Sequence, residues 1–561
     1  MTTPSATIAW AGPEEGAVIE VSATGDAARA VGTHLPTLVS DKVASRLSAQ
    51  DATLWGADAQ AEAEVRLGWT ALHETSRSLL EPLARLRAEL LAEGIDRVVL
   101  CGMGGSSLAP EVITGTHGAQ LVVLDGTDPG QVRRALDGDL RSTVVVVSSK
   151  SGTTLETDSQ RRTFEAAFTA AGIDAARRMV VVTDPGSPLQ QQAAEAGYRA
   201  VFEADPTVGG RFSALSAFGL VPSALAGVDV EELLEEAAAV APFFAEDSEA
   251  NPALVLGAAL GGTEPLRDKV VIVDAGSGLF HLGDWAEQLV AESTGKAGTG
   301  LLPVVAETGA PELDSPAPDV LPVLLTPLAD EDDSDADEAA AATTEVTVSG
   351  TLGGTLLLWE HAVAVAGRLL GINPFDQPDV EAAKAATRTL LDETPGPPPP
   401  AFTDSGVEVR ASKGLLTGAS SVGEAVERLL AEIGEDGYLA VMAYLDREGR
   451  AADVLDDTRA GLAARTGRPV TFGWGPRFLH STGQLHKGGP AVGVFLQITA
   501  SPRAHVDIPG RDFDFTTLIS AQAAGDARVL AELGRPVLRL HVTSPDALSW
   551  LAGLLGGPAP S

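Results

Sequence analysis

A single cysteine, Cys101, stands in a chain of 561 residues, so no disulfide can form within the chain. A reducing compartment, the cytoplasm, is the expected setting. Positive charge is scarce, with 39 Lys+Arg against 77 Asp+Glu and a formal net charge of −38. That deficit excludes nucleic acid and anionic membrane surfaces as general partners, because both demand clustered cations against phosphates. An anionic small molecule stays open wherever a local positive field overrides the global one. No apolar stretch reaches the ~18 residues that a membrane span requires, and residues 1–13 lack the basic start and apolar run of a signal peptide. HExxH, paired CxxC and EF-hand spacings are missing, so no metal site is expected. GxGxxG and the P-loop are missing as well, so no nucleotide cofactor is expected.

What is present is an ordinary globular balance of 44% apolar and 21% charged residues, long enough for about three to four domains at ~150 residues each. Residues 66–93 carry helical spacing of Leu, Trp and Ala, which predicts an amphipathic helix pair. Short Val/Leu runs then alternate with helix patterns, at 97–100, 121–124, 142–147 and 179–183, and again at 269–274, 301–305 and 320–325. Continuous apolar strands between helices imply parallel strands buried on both faces. Two doubly wound α/β units follow, at 96–240 and 241–393, after a helical N-terminal segment at 1–95. The acidic run DEDDSDADE at 330–338 predicts a solvated loop, and helices are expected at 356–370 and 380–391. PGPPPP at 395–400 predicts a stiff linker over 394–402. Alternation resumes over 403–561, with strands at 438–444, 493–499 and 537–541 and helices at 451–465 and 516–533. This stretch is either a further α/β domain or the completion of the second sheet.

The strongest local signal is SSKSGTTLE at 148–156, directly after an apolar strand. Small hydroxyl residues between a strand end and a helix start gather free N–H and hydroxyl groups around one point, which suits a phosphate. Lys150 would add local positive charge. The competing reading is a capping box, Thr153-x-x-Glu156. CGMGGSS at 101–107 is a second strand-to-helix glycine turn, serving either close backbone packing or a ligand. His480 and His486, in LHSTGQLHKGG at 479–489, flank a polar Gly-rich segment and fit either surface histidines or a site.

Together these segments resemble the phosphoglucose isomerase family, of the sugar-isomerase (SIS) fold. GMGGSS at 102–107 is similar to the family's GIGGS turn, which brings in Gly105 and Ser106, and SKSGTT at 149–154 to its sugar-phosphate loop. The second match implies substrate contacts from Ser149, Lys150, Ser151, Thr153 and Thr154. GGRFSAL at 209–215 resembles the segment with the active-site arginine, hence Arg211. EQLVAESTGK at 287–296 places Glu292 on the catalytic base and Gln288 one turn before it. NPFDQPDVEAAK at 373–384 brings Gln377 and Lys384 to the substrate. The family's GQHSxxQLIHQG-like segment, with the ring-opening histidine, is missing between the glutamate and lysine segments. A displaced match, HSTGQLHKG at 480–488, is similar to the isomerase half of transaldolase–isomerase fusion proteins. It implies His480 in ring opening, with His486 as the alternative. His361, in the WEH of 359–361, matches a family histidine expected to be structural or secondary.

The resemblance implies an α/β fold of two doubly wound SIS-type parallel-sheet domains with an added C-terminal α/β segment. It implies interconversion of glucose 6-phosphate and fructose 6-phosphate through a cis-enediol, in a cytoplasmic homodimer of glycolysis and gluconeogenesis. Glu292 would move the proton between C2 and C1, Arg211 would stabilise the enediolate, and His480 with Lys384 would open the ring. The alternatives are a dual phosphoglucose/phosphomannose isomerase and a sugar-phosphate-binding regulator that has lost catalysis. Whether His480 acts within its own chain or across a dimer interface stays open at this stage.

Overall fold

The computed structural model describes residues 7–12, 18–328, 345–393, 398–502 and 504–556. The acidic run at 330–338 and the start of the proline stretch, 394–397, lie outside the described residues.

The first described element is an antiparallel hairpin, β1 (Thr7–Ala11) and β2 (Ile19–Ala23). This corrects the expectation of a helical segment over 1–95. In β2 the burial alternates, with Ile19, Val21 and Ala23 inward, a five-residue period-two signal too brief to stand out beside the helical pattern downstream. That pattern, at 66–93, forms short turns and then one helix, Leu80–Ala92, which buries Leu83, Leu86 and Leu90.

The first sheet holds β3 (Arg97–Gly102), β4 (Val122–Leu124), β5 (Thr143–Ser148), β6 (Met179–Thr183) and β7 (Ala200–Glu203), all parallel, in the order β4-β3-β5-β6-β7. The valine runs follow from burial on both faces; in TVVVVS of β5 every residue is buried. Strand order reverses between β3 and β5. At such a switch point the crossover helices diverge to opposite faces and leave a crevice at the carboxyl ends of the two strands. GMGGSS follows β3 and SKSGTT follows β5, so both loops meet at this crevice.

The second sheet holds β8 (Lys269–Asp274), β9 (Leu302–Ala306), β10 (Val320–Leu325) and β11 (Val346–Gly350). Its order is β1-β2-β11-β10-β8-β9, and β2 pairs antiparallel with β11 so that Ala23 faces Val346. The N-terminal hairpin therefore covers one edge of an otherwise parallel sheet.

The C-terminal segment builds a sheet of its own: β12 (Phe402–Asp404), β13 (Val407–Ala411), β14 (Tyr438–Tyr444), β15 (Val470–Trp474), β16 (Gly493–Ala500) and β17 (Val537–Val542), ordered β12-β13-β17-β16-β14-β15. The helix expected over 451–465 is two, Arg450–Leu455 and Thr458–Thr466, broken at Asp456–Asp457. One sheet face carries a private core around Val441, Leu496 and Leu538. The other packs Tyr438, Met442 and Phe495 against Val271 and Val304 of the second sheet. Phe515 and Leu518, at the start of helix Phe515–Glu532, join the core of the first sheet with Val145, Val147 and Phe164. The third unit is thus seated on both others, which brings its loops to the crevice.

Candidate active site

The glycine turn after β3 is fitted to its neighbours by backbone. Gly104 has φ +57, and a Cβ there would sit 2.8 Å from Gln288 Nε2 and 3.0 Å from the His480 carbonyl. A Cβ on Gly105 would collide with the Gly210 carbonyl. The turn, the 209–215 segment, helix Leu282–Thr294 and the His480 segment can approach this closely only because side chains are missing there.

In the second loop, Ser149 Oγ lies 3.0 Å from Thr154 Oγ1 and Ser151 Oγ 2.9 Å from Thr153 Oγ1. Helix Leu155–Ala170 starts immediately after, so its free N–H groups and positive end face the same space. The N-cap is Thr154, with no side-chain cap bond. Glu156 is turned away to other partners, and the capping-box reading falls. Lys150 donates to Asp184 at 2.7 Å, so its charge is balanced locally and is not a free positive field. Cationic side chains also enter from helix Val380–Glu393, as Lys384 and Arg388.

Helix Leu282–Thr294 carries Gln288 and Glu292 one turn apart on one face. Both are buried, and Gln288 Nε2 donates to Glu292 Oε2 at 3.2 Å. Arg211 Nη1 stands 3.6 Å from the same oxygen. Its other nitrogens are occupied, Nε on Ser293 Oγ (2.8 Å) and Nη2 on the carbonyls of Pro374 (2.5 Å) and Asp376 (3.0 Å). Burial pulls the Arg211 pKa down, with Glu292 and Asp376 opposing. Lys296 donates to the Asn373 carbonyl (2.7 Å) and to Asp376. Burial, then the neighbouring Arg211, lower its pKa to about 8. Two buried cations therefore pin the 373–377 turn that presents Gln377.

From the third unit, His480 Nε2 lies 3.4 Å from Glu156 Oε1 of the same chain. Gln522, on helix Phe515–Glu532, donates Nε2 to that oxygen at 2.7 Å. Burial works to raise the Glu156 pKa, but the hydrogen bond and charge of His480, with Lys384 beyond, outweigh it and hold the carboxyl below its usual range. His486 is wholly buried among Tyr438, Phe478 and Phe495, and burial lowers its pKa to about 3. It is a core residue, which leaves His480 as the histidine at the site. His361 is also buried, edge-on to Trp69, with Nδ1 2.9 Å from the Leu357 carbonyl.

These groups enclose a cavity of about 490 Å³. Of the residues singled out in the sequence, Glu292, His480, Lys384, Gly105, Ser106, Ser149, Lys150, Ser151, Thr153, Thr154, Gln288 and Gln377 line it, and Arg211 sits behind Glu292. Glu156, Gln522, Arg388 and Lys487 line it too and were not singled out. Glu156 was legible as part of the loop motif, whereas Gln522 carries no local signal. Among the described residues, no cluster of His, Cys, Asp and Glu could hold a metal ion, and no helix is long and apolar enough to cross a membrane.

Behind the site, Glu360 is completely buried on helix Leu352–Leu369, and burial pushes its carboxyl well above the usual range against only the Ala214 backbone N–H. Its folded pKa exceeds the unfolded one, so its contribution is complete below the unfolded pKa and declines as pH rises. Glu360→Gln is expected to keep the fold and to gain stability over wild type as pH rises above the ordinary glutamate range, read as a growing difference in urea midpoint.

A crevice at the switch point of a parallel sheet, a Ser/Thr loop at a helix start and a buried glutamate paired with a glutamine meet at this one cavity of an α/β protein. Residues 88–299 match the family model for phosphoglucose isomerase. A probable glucose-6-phosphate isomerase of Haloarcula marismortui is 32% identical over 346 residues, 53% of this chain and 78% of that protein. One from Natronomonas pharaonis is 34% identical over 340 residues, covering 53% and 79%. The crystal structure of a glucose-6-phosphate isomerase from Chlamydia trachomatis shares the fold with a TM-score of 0.54 at 19% identity, covering 68% of this chain and 89% of that one. The chain belongs to the phosphoglucose isomerase family.

Proposed function

We propose that this chain interconverts glucose 6-phosphate and fructose 6-phosphate through a cis-enediol. The observation that supports this best is the convergence, on one cavity, of a hydroxyl-rich loop at a helix start, a buried Glu292 and a His480–Glu156 pair. The phosphate lies against Ser149, Ser151, Thr153 and Thr154, with Ser106 beside them, and this fixes the reacting carbons. Glu292 takes the proton from one carbon and returns it to the other, chemistry that calls for neither metal nor nucleotide. Arg211, its remaining nitrogens tied to protein oxygens, stabilises the negative charge that gathers beside Glu292. His480, backed by Glu156, and Lys384, which lines the same cavity, serve as the acid and base that open the ring, one taking the hydroxyl proton and the other protonating the ring oxygen. A cytoplasmic homodimer remains part of the proposal, but the groups named here all come from one chain.

The test is a coupled assay of the purified protein with fructose 6-phosphate, following glucose 6-phosphate. Turnover supports the proposal; a folded protein that binds the sugar phosphate without turning it over overturns it. His480→Ala is expected to lower kcat on this substrate by about 10²-fold. Mixing His480→Ala with a variant inactivated at Glu292 is expected to restore nothing, because both residues serve the same chain's cavity; recovery of activity on mixing would show a site shared between subunits.

A further inference from the structure

The C-terminal unit contributes more than His480. Gln522 is 2% exposed, and both ends of its amide are engaged. Nε2 donates to Glu156 Oε1 at 2.7 Å, and Oε1 accepts from Thr127 Oγ1 at 2.6 Å. Thr127 lies in the loop after β4, is fully buried, and follows Gly126, whose carbonyl accepts from Gln160 Nε2 at 2.9 Å. The amide can face only one way: a carboxylate accepts and never donates, so the NH₂ end meets Glu156, and the threonine hydroxyl satisfies the carbonyl end. Glu156 Oε1 is therefore shared between Gln522 at 2.7 Å and His480 at 3.4 Å, and the shorter bond sets where the oxygen sits.

We infer that Gln522, anchored by Thr127, is a positioning residue for the ring-opening step, holding the Glu156 carboxylate in register with His480. This rests on the isomerase reading above and adds a residue that none of the motif segments contains. The charged and titratable groups facing Glu156 are His480, Lys384 and, from β14, Tyr444. The charges of His480 and Lys384 favour the carboxylate, as does the amide donor, so loss of the donor lets Glu156 take a proton at higher pH.

Gln522→Leu keeps the volume and removes the donor. It is expected to lower kcat on fructose 6-phosphate about tenfold with KM little changed, and to move the acidic limb of kcat/KM to higher pH. A substrate that needs no ring opening separates positioning from general damage. 5-Deoxyfructose 6-phosphate has no 5-hydroxyl with which to close the ring, and its isomerisation, followed as deuterium uptake from solvent at C1, should proceed at the wild-type rate in the variant. Thr127→Val, which leaves Gln522 in place, is expected to show the same pattern more weakly and carries the test should Gln522→Leu not fold. Equal losses on the cyclic and open-chain substrates, or a wild-type rate with an unmoved acidic limb, would overturn the inference. Absence of isomerisation in the wild type would instead remove the functional reading on which it rests.

Discussion

Glu292→Gln is expected to cut isomerisation by about 10³- to 10⁴-fold, the upper range for loss of a positioned general base, while leaving sugar-phosphate binding near wild type. The expectation follows from the other carboxylates at the cavity. Asp184 is committed to Lys150 at 2.7 Å, and Glu156 to His480 and Gln522. Only Glu292 combines a neutral amide donor, Gln288, with a cation held by protein oxygens, Arg211. Glutamine preserves the shape and can still face Gln288 and Arg211, so the loss reports the missing proton acceptor. The informative measurement is exchange of the C2 hydrogen of glucose 6-phosphate with solvent alongside turnover: both should fall together. Persisting exchange with lost turnover would move the base elsewhere.

The second large effect is expected at Arg477, at the start of the turn Arg477–His480. Its guanidinium reaches Glu111 (2.6 Å), Asp125 (2.5 Å) and Asp284 (3.9 Å), acids from the first two units. Arg447 adds contacts to Glu111 (2.9 Å) and Asp125 (3.0 Å). Burial alone would raise the Glu111 pKa, yet Arg477 and then Arg447 hold it below the usual range. Arg477→Leu leaves three acids facing one arginine, and removal of one partner from a buried ion cluster costs about 3–5 kcal/mol. Urea unfolding should register that loss, and kcat should fall with it as His480 loses its anchor. Asp125→Leu added to Arg477→Leu should cost less than the sum of the two single changes, because the unpaired charge is then gone. Strict additivity would mean that the cluster is not coupled.

Much of the fold was legible because parallel strands buried on both faces read as unbroken apolar runs, as in TVVVVS of β5 and KVVIVD of β8. The strands that escaped, β1, β2, β7, β11, β12 and β13, are short, several alternate, and β1, β7 and β12 lie at sheet edges, so their local pattern is weak. Glu292, Gln288 and the loop hydroxyls were legible because their segments are contiguous motifs. The partners of Glu156 were not, because His480 and Gln522 lie 324 and 366 positions away and meet it only through docking of the third sheet. The choice between His480 and His486 needed the packing as well, since both occur in one short motif and only burial separates them.

The pairing of β2 with β11 also bears on the order in which the molecule can be made. The hairpin leaves the ribosome ahead of the first sheet, yet its hydrogen-bonding neighbour begins at Val346, after that whole sheet. Segments made earlier generally fold first during synthesis, and here the hairpin strands must wait, unpaired on one side, while the first sheet closes behind them. The second sheet is then sealed by its oldest segment, so every nascent chain passes through a period with an open β-edge that the finished protein no longer shows.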